Sequence, residues 1–177
     1  MIWIRICYFC KELNLLLLII MTTQKPKVLL KETYIKMIEN SIGTKMFNSI
    51  LIEDEKGESK DILNNGEFSC AVFVSSVLTL FGLLTKSRAT VNNLYSDLVE
   101  GRNFEKTTEE EITPGDIIFW EEFEFEDGSV NKHVGFYIGD NQAISTNYLQ
   151  KQVIRHHYKN FSSGERGIEA VFRVTTI

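Results

Sequence analysis

Cys70, His133, Ser145 and Asn147 are the side chains whose types and order fit nucleophilic chemistry. Cys70 sits within residues 65–84, NGEFSCAVFVSSVLTLFGLL, where a polar turn gives way to a long apolar run. A thiol in the first turn of a helix feels the positive end of the helix dipole and unpaired N–H groups, which favour the thiolate. Such N–H groups can also hold an oxyanion, so the Cys70 backbone N–H, with the Ser69 hydroxyl beside it, is the candidate donor. His133 opens a predicted strand, and histidine is the expected base for a cysteine nucleophile. Side chains alternate along a strand, so a tight hairpin at residues 139–141 puts Ser145 and Asn147 on the face of His133. Either can orient the imidazole as the third member of a triad does. His156 and His157 are adjacent, so they point to opposite faces and at most one can join a site; Arg155 and Lys159 beside them read as a solvated face. Taken singly, a cysteine in an apolar helix is a small buried hydrophobe and a histidine at a strand start is ordinary; the combination carries the chemistry.

These groups need elements to position them. Residues 27–49 have apolar positions at Leu29, Leu30, Ile35, Met37 and Ile38, a helical spacing that Ile42-Gly43 ends. Residues 49–59 read as a strand and a turn at Gly57, and DILNNGE as turn chemistry. The run after Cys70 is apolar almost all round, the mark of a central buried helix ending near Gly82. Thr90 to Gly101 reads as a short amphipathic helix, and NFEKTTEEEI after it as a polar, solvated loop beside the cleft. From PGDIIFWEEFEFED onward the period changes to that of strands: alternation at Phe123 and Phe125, a strand at 133–138, another at 142–147, and two more in KQVIRHHYKNF and GIEAVFRVTTI. Helices followed by an antiparallel sheet make an α+β fold.

The chain of 177 residues fits one domain, at 27–177, behind an N-terminal segment at 1–26. A net charge of −5 argues against a nucleic-acid partner, which calls for a basic face. Three cysteines, Cys7, Cys10 and Cys70, give no disulfide framework. The Cys7/Cys10 pair lacks the second pair that a zinc site needs, GDNQ lacks calcium-loop spacing, and no glycine loop for phosphate is present, so no metal or cofactor is expected. The apolar run ending at Met21 is shorter than a bilayer span and lacks a small-residue cleavage site. Two readings stay open: an upstream extension ahead of a start at Met21, with a cytoplasmic protein, or a signal-like segment that exports or anchors it. Membrane contact is expected only in the second case, and a monomer in both.

SCAVFV, then TPGDIIFW, then HVGFYIGDNQAIS resembles the NlpC-type cell-wall cysteine peptidase family, over roughly residues 64–147. The resemblance implies a papain-like fold, the nucleophile-bearing helix packed on the antiparallel sheet, and hydrolysis of amide bonds in peptidoglycan stem peptides. It maps Cys70 onto the nucleophile, His133 onto the base and Ser145 onto the third polar position, which is often histidine. The related CHAP amidases use an acidic or amide residue in that role, which is the case for Asn147. The family's Asp-Cys-Ser-Gly is Ser69-Cys70-Ala71-Val72 here. That departure motivates an alternative, an inactive papain-like domain that binds a peptide or protein partner; acyl transfer through the same thioester is a third reading.

Overall fold

The computed structural model describes residues 26–124, 128, 130–161 and 164–177. The segment 1–20 with Cys7 and Cys10, and the alternation reaching Phe125, lie outside the described residues.

Helix α1 (Leu30–Asn40) is shorter than its apolar spacing implied. It buries Tyr34 and Ile38, one turn apart, while Leu29, Leu30 and Met37 remain exposed. That corrects the sequence reading: the helix touches the core along a narrow stripe, and Tyr34 leads it, its hydroxyl donating to the Gly115 carbonyl at 3.0 Å. Strands β1 (Leu51–Glu53) and β2 (Ser59–Asp61) form an exposed hairpin around Gly57. Helix α2 (Cys70–Leu80) is buried on nearly every side, as an all-round apolar sequence requires. Its one buried hydroxyl inside the helix is satisfied, since Ser75 Oγ donates to the Ala71 carbonyl and accepts from Arg88 N–H. Helix α3 (Val91–Glu100) starts at the Thr90 cap and ends at Gly101.

The main sheet is six-stranded and antiparallel, built from β3 (Phe104–Thr107), β4 (Ile117–Glu124), β5 (Val130–Gly139), β6 (Gln142–Asn147), β7 (Gln152–His157) and β10 (Ile168–Val174). Its order is β3-β10-β4-β5-β6-β7. A two-stranded pair, β8 (Asn160–Phe161) and β9 (Gly164–Glu165), links β7 to β10. The expected α+β arrangement is present. Strand β3 corrects the loop reading of residues 103–112: it is an edge strand in which only Phe104 is buried, so backbone pairing with β10 forms it without an apolar pattern.

Both faces of the central strands are buried, which explains the unbroken IIFW run. Ile117, Phe119, Val134, Phe136 and Ile144 pack with the helices. Ile118, Trp120, Tyr137 and Ala143 form a second, smaller cluster on the opposite face. The Pro114–Gly115–Asp116 turn anchors the start of β4. Gly115 N–H donates to Tyr137 O and Tyr137 N–H to Asp116 O, each at 2.8 Å, while the buried Asp116 carboxylate accepts from Arg173 Nη2 at 2.8 Å. The β5–β6 hairpin turns through Asp140 and Asn141, both left-handed (φ 50° and 58°), and this fixes the register on which the site depends.

Candidate active site

Cys70 is the first residue of α2, and its side chain is buried in the wall of a cavity of about 560 Å³. His133, Ser145, Asn147 and His156 line the same cavity. Burial pushes the Cys70 thiol up from its ordinary value; the N–H groups of Val134, Ala71 and Cys70 itself and the charge of Arg166 pull it part of the way back. Val134 is the residue after His133, so its N–H ties the sulfur to the stretch of β5 that carries the imidazole.

His133 pairs across the sheet with Trp120, and the two rings stack at 5.2 Å between centroids. Its Nε2 lies 2.8 Å from Ser145 Oγ. Ser145 Oγ lies in turn 2.7 Å from His156 Nε2, and His156 Nδ1 lies 2.8 Å from the His157 carbonyl. A carbonyl only accepts, so His156 Nδ1 carries the proton. Burial lowers the His156 pKa and keeps the ring neutral, so Nε2 accepts from the Ser145 hydroxyl. The serine oxygen then accepts from His133 Nε2–H, which leaves the lone pair of His133 on Nδ1. Burial first, then the charges of Arg166 and His156, hold His133 well below the usual histidine range. Thiol and imidazole therefore rest as a neutral pair, not as thiolate and imidazolium.

Gly135 makes this line of contacts possible. A Cβ there would lie 2.8 Å from both Ser145 Cβ and the Ile144 carbonyl oxygen and 3.0 Å from the Trp120 ring. Its φ is not in the left-handed region, so the glycine is required for space and not for backbone freedom.

Of the residues named from sequence, Cys70, His133 and Ser145 are brought to one cavity. Asn147 also lines it, but its Oδ1 accepts from the N–H groups of Leu149 at 3.0 Å and Gln150 at 2.7 Å, closing the turn after β6. The Ser69 hydroxyl is fully buried and donates to the Gly66 carbonyl at 2.8 Å, so its proton faces away from any oxyanion. The Cys70 backbone N–H stays at the open first turn of the helix.

The sequence allowed at most one of His156 and His157 into a site and read their stretch as a solvated face; the structure brings His156 to Ser145. Strand β7 pairs with β6 so that Ala143 faces His156 and Ser145 faces Ile154, which puts His156 on the face of Ser145 and turns His157 away. The signal was the alternation rule carried across the turn at residues 148–151. Arg166, also in the cavity wall, gave no local signal in its polar stretch. Among the described residues no group of His, Cys, Asp and Glu is placed to hold a metal ion. No helix among them is long and apolar enough to cross a membrane.

Comparison with protein families gives a match to the model of the NlpC/P60 family over residues 56–169, nearly two thirds of the chain. A comparison with curated proteins gives no match.

Proposed function

The chain belongs to the NlpC/P60 family of cysteine peptidases and amidases of cell-wall peptides, and from that premise we propose that it hydrolyses an amide bond of a peptidoglycan stem peptide with Cys70 as nucleophile and His133 as base. The observation that carries this reading is the chain His133–Ser145–His156, which leaves the lone pair of His133 on Nδ1, in a residue that lines the same cavity as Cys70.

His133 Nδ1 takes the thiol proton as sulfur attacks the scissile carbonyl carbon. Because burial disfavours both ions at rest, proton transfer accompanies attack, and negative charge passes from sulfur to the carbonyl oxygen without a standing thiolate. The Cys70 backbone N–H, at the start of α2, donates to that oxygen. Imidazolium formation strengthens the Nε2–H bond to Ser145, whose own O–H goes on donating to His156 Nε2. The imidazolium then protonates the leaving amine, the C–N bond breaks, and an acyl-thioester remains on Cys70. Water, deprotonated by His133, attacks the thioester, releases the carboxylic acid and regenerates the thiol.

The test is turnover of a purified stem peptide, followed by chromatography and mass spectrometry, in the wild type and in Cys70→Ala. The variant is expected to fold normally and to show no hydrolysis. Hydrolysis at the wild-type rate in that variant would refute the assignment.

A further inference from the structure

Arg166 is a buried cation in the cavity wall, and no carboxylate among the described residues is paired with it. The arginine is 8% exposed. Its Nη2 donates to the backbone carbonyls of Glu121 and Asn131, each at 2.9 Å. Its Nε is buried with no hydrogen-bond partner among the described residues. The guanidinium lies 5.5 Å from the ring centroids of both Phe123 and Phe161, which hold it and offset part of its desolvation. A buried guanidinium cannot shed its proton, and leaving one unpaired is costly unless something else supplies the negative charge.

The carboxylates among the described residues of the cavity wall do not supply it. The two in the cavity wall are Glu67, engaged by the Asn64 amide, and Glu122, which is exposed. The other cation there, Lys132, is already bound by Glu169 at 2.9 and 3.0 Å. Arg166 is thus the open positive charge among the described residues of the cavity wall, beside amides and hydroxyls such as Asn131, Thr146 and Gln150. One fixed guanidinium suits a single negative charge on a peptide; a phosphate calls for several cations.

We infer that Arg166 forms an anion subsite beside Cys70, which binds a free carboxylate of the peptide substrate and selects substrates that carry one near the scissile bond. The inference deepens the hydrolase reading and rests on it for the peptide nature of the ligand, while the subsite itself rests on the geometry of Arg166.

Two alkylating reagents of similar size test it apart from hydrolysis. Iodoacetate and iodoacetamide each place a carbon on the Cys70 sulfur and release iodide, but only iodoacetate brings a carboxylate. Rates are read at Cys70 by peptide mass spectrometry, with glutathione as the reference thiol at the same pH. In the wild type the iodoacetate-to-iodoacetamide rate ratio is expected to exceed that of glutathione by roughly tenfold or more, the scale of one charge-assisted hydrogen bond. Arg166→Gln should bring the ratio down to the glutathione value, and Arg166→Lys should keep part of the excess. A wild-type ratio no higher than that of glutathione overturns the inference and requires no variant to fold. So does a ratio that survives in folded Arg166→Gln, including the case in which both rates fall together because the charge acts only on the thiol. A raised ratio in a protein that cleaves no stem peptide removes the hydrolase reading and leaves the subsite standing.

Discussion

The two faces of the six-stranded sheet are made by the same strands and differ in kind. Toward the helices, Phe119, Val134, Phe136 and Ile144 pack as ordinary apolar filling, with Phe136 edge-on to Tyr34 and Phe73. On the other face, one residue along each strand, stand Trp120, His133 and Ser145, with His156 behind them. One face locks the strands and holds the helix that carries Cys70; the other carries the imidazole–hydroxyl line proposed to act with it. Because alternation has a period of two, a slip of one residue would exchange them, so the apolar face also serves as the register lock for the polar one.

The contrast breaks most sharply in a pair of substitutions on opposite faces of one strand, β5. Phe136→Ala should cost about 3–5 kcal/mol of stability while the folded fraction keeps its activity. His133→Ala should leave the thermal midpoint nearly where it is and lower kcat/KM by about 10²–10⁴-fold. Denaturant unfolding and stem-peptide hydrolysis, measured on both variants, check the separation; equal losses in both readouts would erase it.

A smaller effect sharpens the polar face. Ser145→Ala removes the link between the two imidazoles, and kcat is expected to fall by roughly tenfold with little change in KM, since one hydrogen bond of about 1–1.5 kcal/mol is lost at a group that does not touch substrate. His156→Gln, which retains an acceptor for the serine proton, should lose less. Asn147→Ala should act on stability through its turn and leave kcat alone; the reverse order would move the third position to Asn147.

The smallest effect is in pH. His133 and His156 have folded-state pKa values below the ordinary 6.5, so between 6.5 and those lower values the unfolded chain binds more protons than the folded one. Stability is then fully present above pH 6.5 and is lost as pH falls below it, by up to about 1.4 kcal/mol per pH unit for each histidine. Thermal melts between pH 7 and pH 5 should show this loss, and His156→Gln should lose less than the wild type over that range. The neutral resting pair has a companion signature: Cys70 alkylation by iodoacetamide should be slow at pH 7 and accelerate only as the buried thiol ionises above its usual range.

Much of the arrangement could be read from the chain because it follows local rules. An all-round apolar run after Cys70 has one use, a buried helix, and HVG followed by a left-handed hairpin fixes the face of His133. What could not be read depended on contacts between segments. Ser145 and Asn147 share a face, and alternation cannot choose between them; in the structure the turn at 148–151 takes the Asn147 side chain and Ser145 is the one beside His133. The same turn sets which of His156 and His157 reaches the serine. Strand β3 carries no apolar alternation because an edge strand needs only a partner backbone. Arg166 has no signature at all, since its significance lies in carbonyls and rings contributed by β4, β5 and β8.

Gly135 leaves a hole in the side-chain layer of β5, and Trp120 and Ser145 close over it. A single methyl group in that hole would meet the Ser145 side chain and the Ile144 carbonyl equally closely, so it would press on the serine and on the β5–β6 pairing together. Position 135 is therefore a gauge that can be read in any related sequence without a structure: a bulkier residue there marks a chain whose base has lost its tether, whatever cysteine it still displays.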